Sequence, residues 1–274
     1  MRDYLISNGV YIPSIGFGTW QMKPKDAYQA TIEAIHAGYR HIDTAYVYKN
    51  EKSVGKAIKD SGVKREELFV TTKLPAEIKS YEGAMEYFKA SMSHLGLDYL
   101  DLYLIHAPWP WSEVGKDCMD GNVDAFKAFI DLYKAKKVRT IGVSNFHPEE
   151  LEILEKKTGV RPMVNQIRFF VGNTQKATYE YCLRKNILVQ AYSPLATGKL
   201  LENPVLLEMA KKYSTSVSKI CIQYCLEKKT LPIVKSIHKE RIIDNLSLPF
   251  YLNQEDIDNL DSIVFSDLAK PYRS

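Results

Sequence analysis

The sequence predicts an α/β protein, a closed (β/α)8 or TIM barrel preceded by an N-terminal β-hairpin, and three observations support this. Strand-like and helix-like segments alternate eight times over about 250 residues, the repeat and length that such a barrel needs. Strand after strand ends on a polar residue: Asp43, Lys73, His106, Ser144-Asn145, Gln166, Tyr192-Ser193 and Lys235-Ser236. That is expected if the carboxyl ends of the strands converge on one ligand-binding mouth. No linker, low-complexity stretch or charge block divides the chain, so residues 1–274 read as one domain. The rival, a doubly wound open sheet, would show fewer units.

The elements follow in order. In "YLISNGVYIP" the pair Asn8-Gly9 separates two short β-prone runs and predicts a hairpin. "SIGFGTW" reads as the first barrel strand and residues 26–36 as its helix. "RHIDTA" is a strand, and "EKSVGKAIKDSG" a helix stopped at Gly62. "LFVTTKL" and the amphipathic "SYEGAMEYFKASMSHLG" form the third unit, and the apolar "YLDLYLIHA" with "NVDAFKAFIDLYKAKK" the fourth. "VRTIGVSN" precedes "HPEELEILEKKTG", whose Pro148 suits a first helical turn. "PMVNQIRF" and "TQKATYEYCLRKN" follow. "ILVQAYSPL" leads into two helices, "NPVLLEMAKKYS" and "SVSKICIQYCLEKK". "TLPIVKS" is the last strand, "HKERIIDNLS" its helix, and a final helix is expected over residues 255–263.

Composition narrows the function classes. The chain is 45% hydrophobic and 26% charged, as globular proteins are, and its net charge of +4 is spread without a basic run. Nucleic acid is therefore not an expected partner. The N-terminal residues carry no apolar core of signal-peptide length and no run is long enough to span a membrane, so a cytoplasmic, membrane-free location is expected. The four cysteines form no C-x-x-C, and Cys221 and Cys225, one helical turn apart, read as buried thiols. The six histidines show no metal-ligand spacing, so no metal site is expected.

Four residues near adjacent strand ends could carry proton chemistry. Reducing a carbonyl requires a hydride on carbon and a proton on oxygen. A phenol with a pKa near ~10 is a poor acid–base group at neutral pH unless a nearby ammonium stabilises its phenolate. Tyr48 lies in the loop after the second strand, and Lys73 could supply that charge. Asp43 could pair with Lys73, and a neutral His106 could hydrogen-bond the substrate carbonyl. Singly, each has a plainer reading as a half-buried aromatic, a solvated pair or a structural histidine; their joint placement favours chemistry.

Here the chain resembles the aldo-keto reductase family over essentially its whole length. The resemblance rests on "GYRHIDTAYVYKNEKSVGKAI", "TTKL", "LDLYLIHAP", "IGVSNF", "VNQI", "AYSPL" and "VKSIHKERIIDN", in that order. It implies a catalytic tetrad of Asp43, Tyr48, Lys73 and His106 with Tyr48 as general acid. It also implies reduction of small aldehydes and ketones, and NADP(H) as cofactor. A monomer is expected by the same likeness.

The one G-x-G, "GFGT", lacks the third glycine and following helix of a Rossmann fingerprint, so a dinucleotide should lie across the barrel mouth. Tyr192 can stack on the nicotinamide, and Ser144, Asn145 and Gln166 can bond its carboxamide. Ser193, Leu195 and Thr197 match a loop over the pyrophosphate in relatives. Lys235, Ser236 and Arg241 offer the cations and hydroxyl that a 2′-phosphate dianion requires, with Asn245 at the adenine edge. By resemblance the contacts extend to Gly18, Thr19, Trp20, Asp43, Ile237, His238 and Asp244. Two family positions depart: Val234 replaces a proline and Asp244 a glutamate.

Trp20, Val47, Tyr48, His106 and Trp109 are the expected substrate contacts. Pro75 and Ala107 stand where many relatives carry tryptophan, so the pocket should be reshaped, with Trp109 and Trp111 available to refill it. No arginine or lysine is read as a carboxylate-binding group. Asn50 is expected to cap the helix that follows Tyr48. Two other functions fit the fold. A non-catalytic cofactor-binding sensor would not need Tyr48, and a barrel hydrolase would need a metal cluster or nucleophile–base pair that the spacing lacks.

Overall fold

The computed structural model describes residues 3–265. The hairpin pairs β1 (Asp3–Leu5) with β2 (Tyr11–Pro13), antiparallel, with Tyr4 opposite Ile12. Asn8-Gly9 lies inside a five-residue connection rather than forming a two-residue turn. Ile6 N–H donates to Val10 O at 2.8 Å, and Gly9 takes the left-handed φ of 84° that the bend requires. Asn8 Nδ2 donates to Arg139 O at 2.9 Å and Tyr4 OH to Thr230 O at 3.2 Å. Both acceptors lie at strand beginnings, so the hairpin lies at the amino end of the barrel, away from the strand ends.

Eight parallel strands then close on themselves: β3 (Gly16–Gly18), β4 (His41–Asp43), β5 (Phe69–Leu74), β6 (Leu100–Ile105), β7 (Val138–Ser144), β8 (Val164–Arg168), β9 (Leu188–Tyr192) and β10 (Leu231–Val234). The closing pair is β10 with β3, in register Val234 to Phe17. The glycines of "GFG" serve this closure. A Cβ on Gly16 would lie 2.5 Å from Ile233 Cδ1 and 2.7 Å from His41 Nδ1, and one on Gly18 2.8 Å from Ile233 Cγ2. Close strand approach accounts for both glycines.

The helices lie outside: α1 (Pro24–Ala37), α2 (Glu51–Asp60), α3 (Tyr81–Leu95), α4 (Met119–Lys134), α5 (Pro148–Thr158), α6 (Lys176–Arg184), the pair α7 (Pro204–Lys212) and α8 (Val217–Glu227), α9 (Lys239–Leu246) and α10 (Gln254–Asp261). Pro148 occupies the first turn of α5, and Gly38, Gly96 and Gly159 end their helices in left-handed geometry. Strands β5 and β6 are buried along their whole length, apolar side chains packing outward against the helices. At the amino end, fully buried Asp101 of β6 accepts from Arg65 and Arg139, each at 2.7 Å, and from Val70 N–H at 2.9 Å.

Candidate active site

The strand ends enclose a cavity of about 1300 Å³. Asp43 enters from the end of β4, Lys73 from β5 and His106 from the residue after β6. Tyr48 is delivered by a single 3-10 turn, Tyr46–Tyr48, which ends when Lys49 adopts a left-handed φ of 57°. Lys73 is wholly buried. Its Nζ donates to Asp43 Oδ1 at 2.5 Å, to Thr44 O at 2.9 Å and to Tyr48 OH at 3.5 Å. Tyr48 OH also lies 3.5 Å from His106 Nε2, the rings meeting edge to face. The four side chains therefore form one connected group with the phenol between an amine and an imidazole.

Burial dominates the electrostatics. It lowers the Lys73 pKa from the ordinary lysine value, and the Asp43 carboxylate opposes that fall. Burial, reinforced by the Lys73 charge, holds His106 well below the usual histidine range, so its imidazole is neutral at physiological pH. His106 Nδ1 is buried with no hydrogen-bond partner among the described residues. A buried N–H without an acceptor is rarer than a buried lone pair without a donor, so the proton belongs on Nε2, facing the phenol.

The neighbouring strands bring amides to the same mouth. Gln166 Nε2 donates to Asp43 Oδ2 at 2.8 Å and to Gln190 Oε1 at 2.7 Å, which orients its Oε1 for an incoming donor. Ser144 Oγ donates to Gln166 O, and Tyr192 OH to Asn145 Oδ1, both at 2.8 Å. Asn145 sits at a φ of 64°, a left-handed conformation that asparagine tolerates better than most residues. Beyond Tyr192 the chain bends sharply through Ser193, Ala196 and Thr197, at φ values of 52°, 48° and 58°. Ser193, Leu195 and Thr197 line the cavity there.

On the far side of the mouth Lys235, Ser236, Ile237 and His238 border the cavity, with Arg241, Asp244 and Asn245 from α9. Neither Lys235 nor Arg241 is in an ion pair with a described residue, whereas Asp244 is neutralised by Lys219 at 2.5 Å. Both cations thus remain available to an anion.

Gly18, Trp20, Val47, Tyr48 and His106 also line the cavity, but two expected contacts do not. Thr19 is fully buried and donates to Asp43 O and Thr44 Oγ1. Trp109 is only 1% exposed and packs between Ala76 and Ala107, in space left by small residues at neighbouring positions. The wall is instead Trp111, whose ring meets His106 edge to face at 5.6 Å. Asn50 does not cap α2. Its Nδ2 donates to Thr19 O at 2.9 Å and Met22 O at 3.2 Å, tying the loops after β3 and β4 together.

Sequence reading also passed over Arg168. It lines the cavity two residues beyond Gln166, the strand spacing that returns a side chain to the same face, with its guanidinium 5.1 Å over the Phe170 ring. That period was the signal available in "NQIR".

The chain is similar to known proteins over nearly its whole length. The profile of the aldo/keto reductase family matches residues 14–264. A glyoxal reductase of Bacillus subtilis (strain 168) is 44% identical, the match covering 97% of this chain and 94% of that protein. An aldo/keto reductase structure from Brucella melitensis superposes with a TM-score of 0.89 at 40% identity, covering 95% of this chain and 98% of that one. An aldo-keto reductase of Bombyx mori, solved in complex with NADP, superposes with a TM-score of 0.87 at 33% identity, covering 100% and 99%. An eight-stranded barrel, a buried lysine–aspartate pair beneath a tyrosine, and matches of this extent lead to one conclusion: the chain belongs to the aldo/keto reductase family.

Proposed function

We propose that the protein reduces aldehydes and activated ketones of modest polarity to alcohols, with NADPH as the reductant and Tyr48 as the proton donor. The observation that carries this reading is the position of the Tyr48 hydroxyl, 3.5 Å from both Lys73 Nζ and His106 Nε2. When bound, the reduced nicotinamide supplies the hydride. The chain's own residues do the rest. His106 Nε2–H and Tyr48 OH hold the carbonyl oxygen, the phenolic proton moves to that oxygen as it gains charge, and the Lys73 ammonium stabilises the phenolate left behind. Asp43 holds Lys73 in register and Gln166 in orientation.

The residues fit the cofactor. Gln166 Oε1, Ser144 and Asn145 would hold the carboxamide, and Tyr192 would stack on the ring. The bent segment from Ser193 to Thr197 would cover the pyrophosphate. Lys235, Ser236 and Arg241 would hold a 2′-phosphate, and the absence of a described ion-pair partner for either cation supports NADPH over NADH. The test follows NADPH absorbance with a panel of aromatic and aliphatic aldehydes. Tyr48→Phe is expected to lower turnover by about 10²–10⁴ while leaving NADPH binding intact. Equal rates in parent and variant, or NADPH binding without any turnover in the parent, would overturn the reading.

A further inference from the structure

The segment after His106 is gripped from outside the site. Lys79, in the loop between β5 and α3, donates from Nζ to Ala107 O and to Asn122 Oδ1, both at 2.7 Å. Asn122, fully buried in the first turn of α4, donates from Nδ2 to Pro108 O at 2.7 Å. Trp111 N–H reaches Glu77 Oε1 at 3.4 Å. Gly121 lets the helix come this close, since a Cβ there would stand 2.5 Å from Lys79 O. Two carbonyls directly behind the site histidine are thus fixed by side chains that touch neither the cavity nor the tetrad. The segment ends in Trp111, which meets Trp109 edge to face at 5.0 Å and forms the cavity wall against His106.

We propose that Lys79 and Asn122 are positioning residues that set substrate selectivity by holding Trp111 against the substrate pocket. This rests on the carbonyl-reductase reading above. Lys79 is largely buried, and no described carboxylate lies within ion-pair distance of it. Its hydrogen-bonding capacity goes to a backbone carbonyl and an amide, which is an arrangement for fixing a loop. Burial also lowers its pKa to about 8, while Cys118, Glu77 and Glu150 around it act in the opposite sense. Trp20 also lines the cavity, but the indole that meets His106 is that of Trp111, and its position depends on the braced backbone. Loss of the brace frees the indole and loosens the fit for flat, bulky carbonyls, while the tetrad stays intact.

The test is a double-mutant cycle between Lys79→Met and Trp111→Ala, read with 2-naphthaldehyde and with glyoxal under saturating NADPH. Lys79→Met should raise KM for 2-naphthaldehyde by roughly tenfold, leaving kcat, the NADPH Kd and the glyoxal KM within about twofold. In the Trp111→Ala background the same substitution should add nothing, because the residue it positions is gone. Independent, fully additive effects, or an equal rise in KM for both aldehydes, would overturn the proposal. If Lys79→Met does not fold, Asn122→Asp, which keeps the acceptor for Lys79 but removes the donor to Pro108 O, carries the same expectations. A parent protein with no NADPH-dependent turnover would refute the enzymatic reading itself. Normal turnover with unchanged selectivity in the variants would refute only the brace.

Discussion

Replacing Asp43 by asparagine probes the centre of the site. The Asp43–Lys73 pair has side-chain exposures of 4% and 0% and an N···O distance of 2.5 Å. Coulomb's law at an effective dielectric of about 20 gives a gross attraction of roughly 7 kcal/mol at that distance. Desolvation offsets part of it, and removing one partner of a buried pair costs about 3–5 kcal/mol because the other charge is stranded. If its oxygen keeps the contact with Lys73, the substituted amide also turns an N–H toward Gln166 Nε2, which now donates to Asp43 Oδ2. At about 2–4 °C per kcal/mol for a chain of this size, the melting temperature should fall by roughly 6–20 °C at pH 7. The loss has a defined pH dependence. Asp43 raises the Lys73 pKa against the downward pull of burial, so the variant's Lys73 pKa lies lower still, below its unfolded value of about 10.4. Between those two values the unfolded chain binds more protons than the folded one, so the variant's stability rises with pH. Urea unfolding at pH 7 and pH 9.5 measures this. A loss below about 1 kcal/mol at pH 7, or a loss that does not shrink at pH 9.5, would refute the account of a charged, enclosed pair.

Three further outcomes are expected. Lys235→Met should weaken NADPH binding by roughly ten- to a hundredfold, the loss of one charge-assisted contact, and NADH binding much less; titration of both cofactors tests this. Asp101→Ala should cost about 3–5 kcal/mol in urea unfolding, chiefly by leaving the mostly buried Arg65 and the Val70 N–H without their acceptor, and it should leave turnover at low temperature unchanged because the residue lies at the amino end of β6. His106 should stay neutral through the range around pH 6.5 in which a free imidazole titrates. Its folded pKa is depressed, so its contribution to stability is lost as pH falls below about 6.5. Imidazole nitrogen shifts across that range test this, and a titration centred near 6.5 would contradict the burial argument.

Much of this was legible from sequence because it depends on local pattern. Short β-prone or apolar runs and amphipathic segments marked the strands and helices, and polar residues at the ends of seven strands marked the mouth. Asp43, Lys73 and His106 could be named because a strand end points into the mouth whatever the loops do. The errors fall in loops. The hairpin expected at Asn8-Gly9 is present, but its five-residue connection and its anchor on Arg139 O are set by the tertiary structure. Asn50 has a capping residue's identity and helix position, yet its side chain is taken by Thr19 O and Met22 O, from a loop about thirty residues earlier.

Residue type at repeated positions is enough to specify the barrel, the family and the residues proposed to handle the proton. The tryptophan of "HAPWPW" that faces the pocket is selected at a later level, by the assembled fold. Nothing within those six residues distinguishes Trp109 from Trp111. The choice is made by Ala76 and Ala107, which leave room for the first indole, and by Lys79 and Asn122, which hold the backbone so that the second meets His106. A loop side chain takes its direction from the long-range contacts that hold its backbone, and those exist only once the strands and helices have assembled.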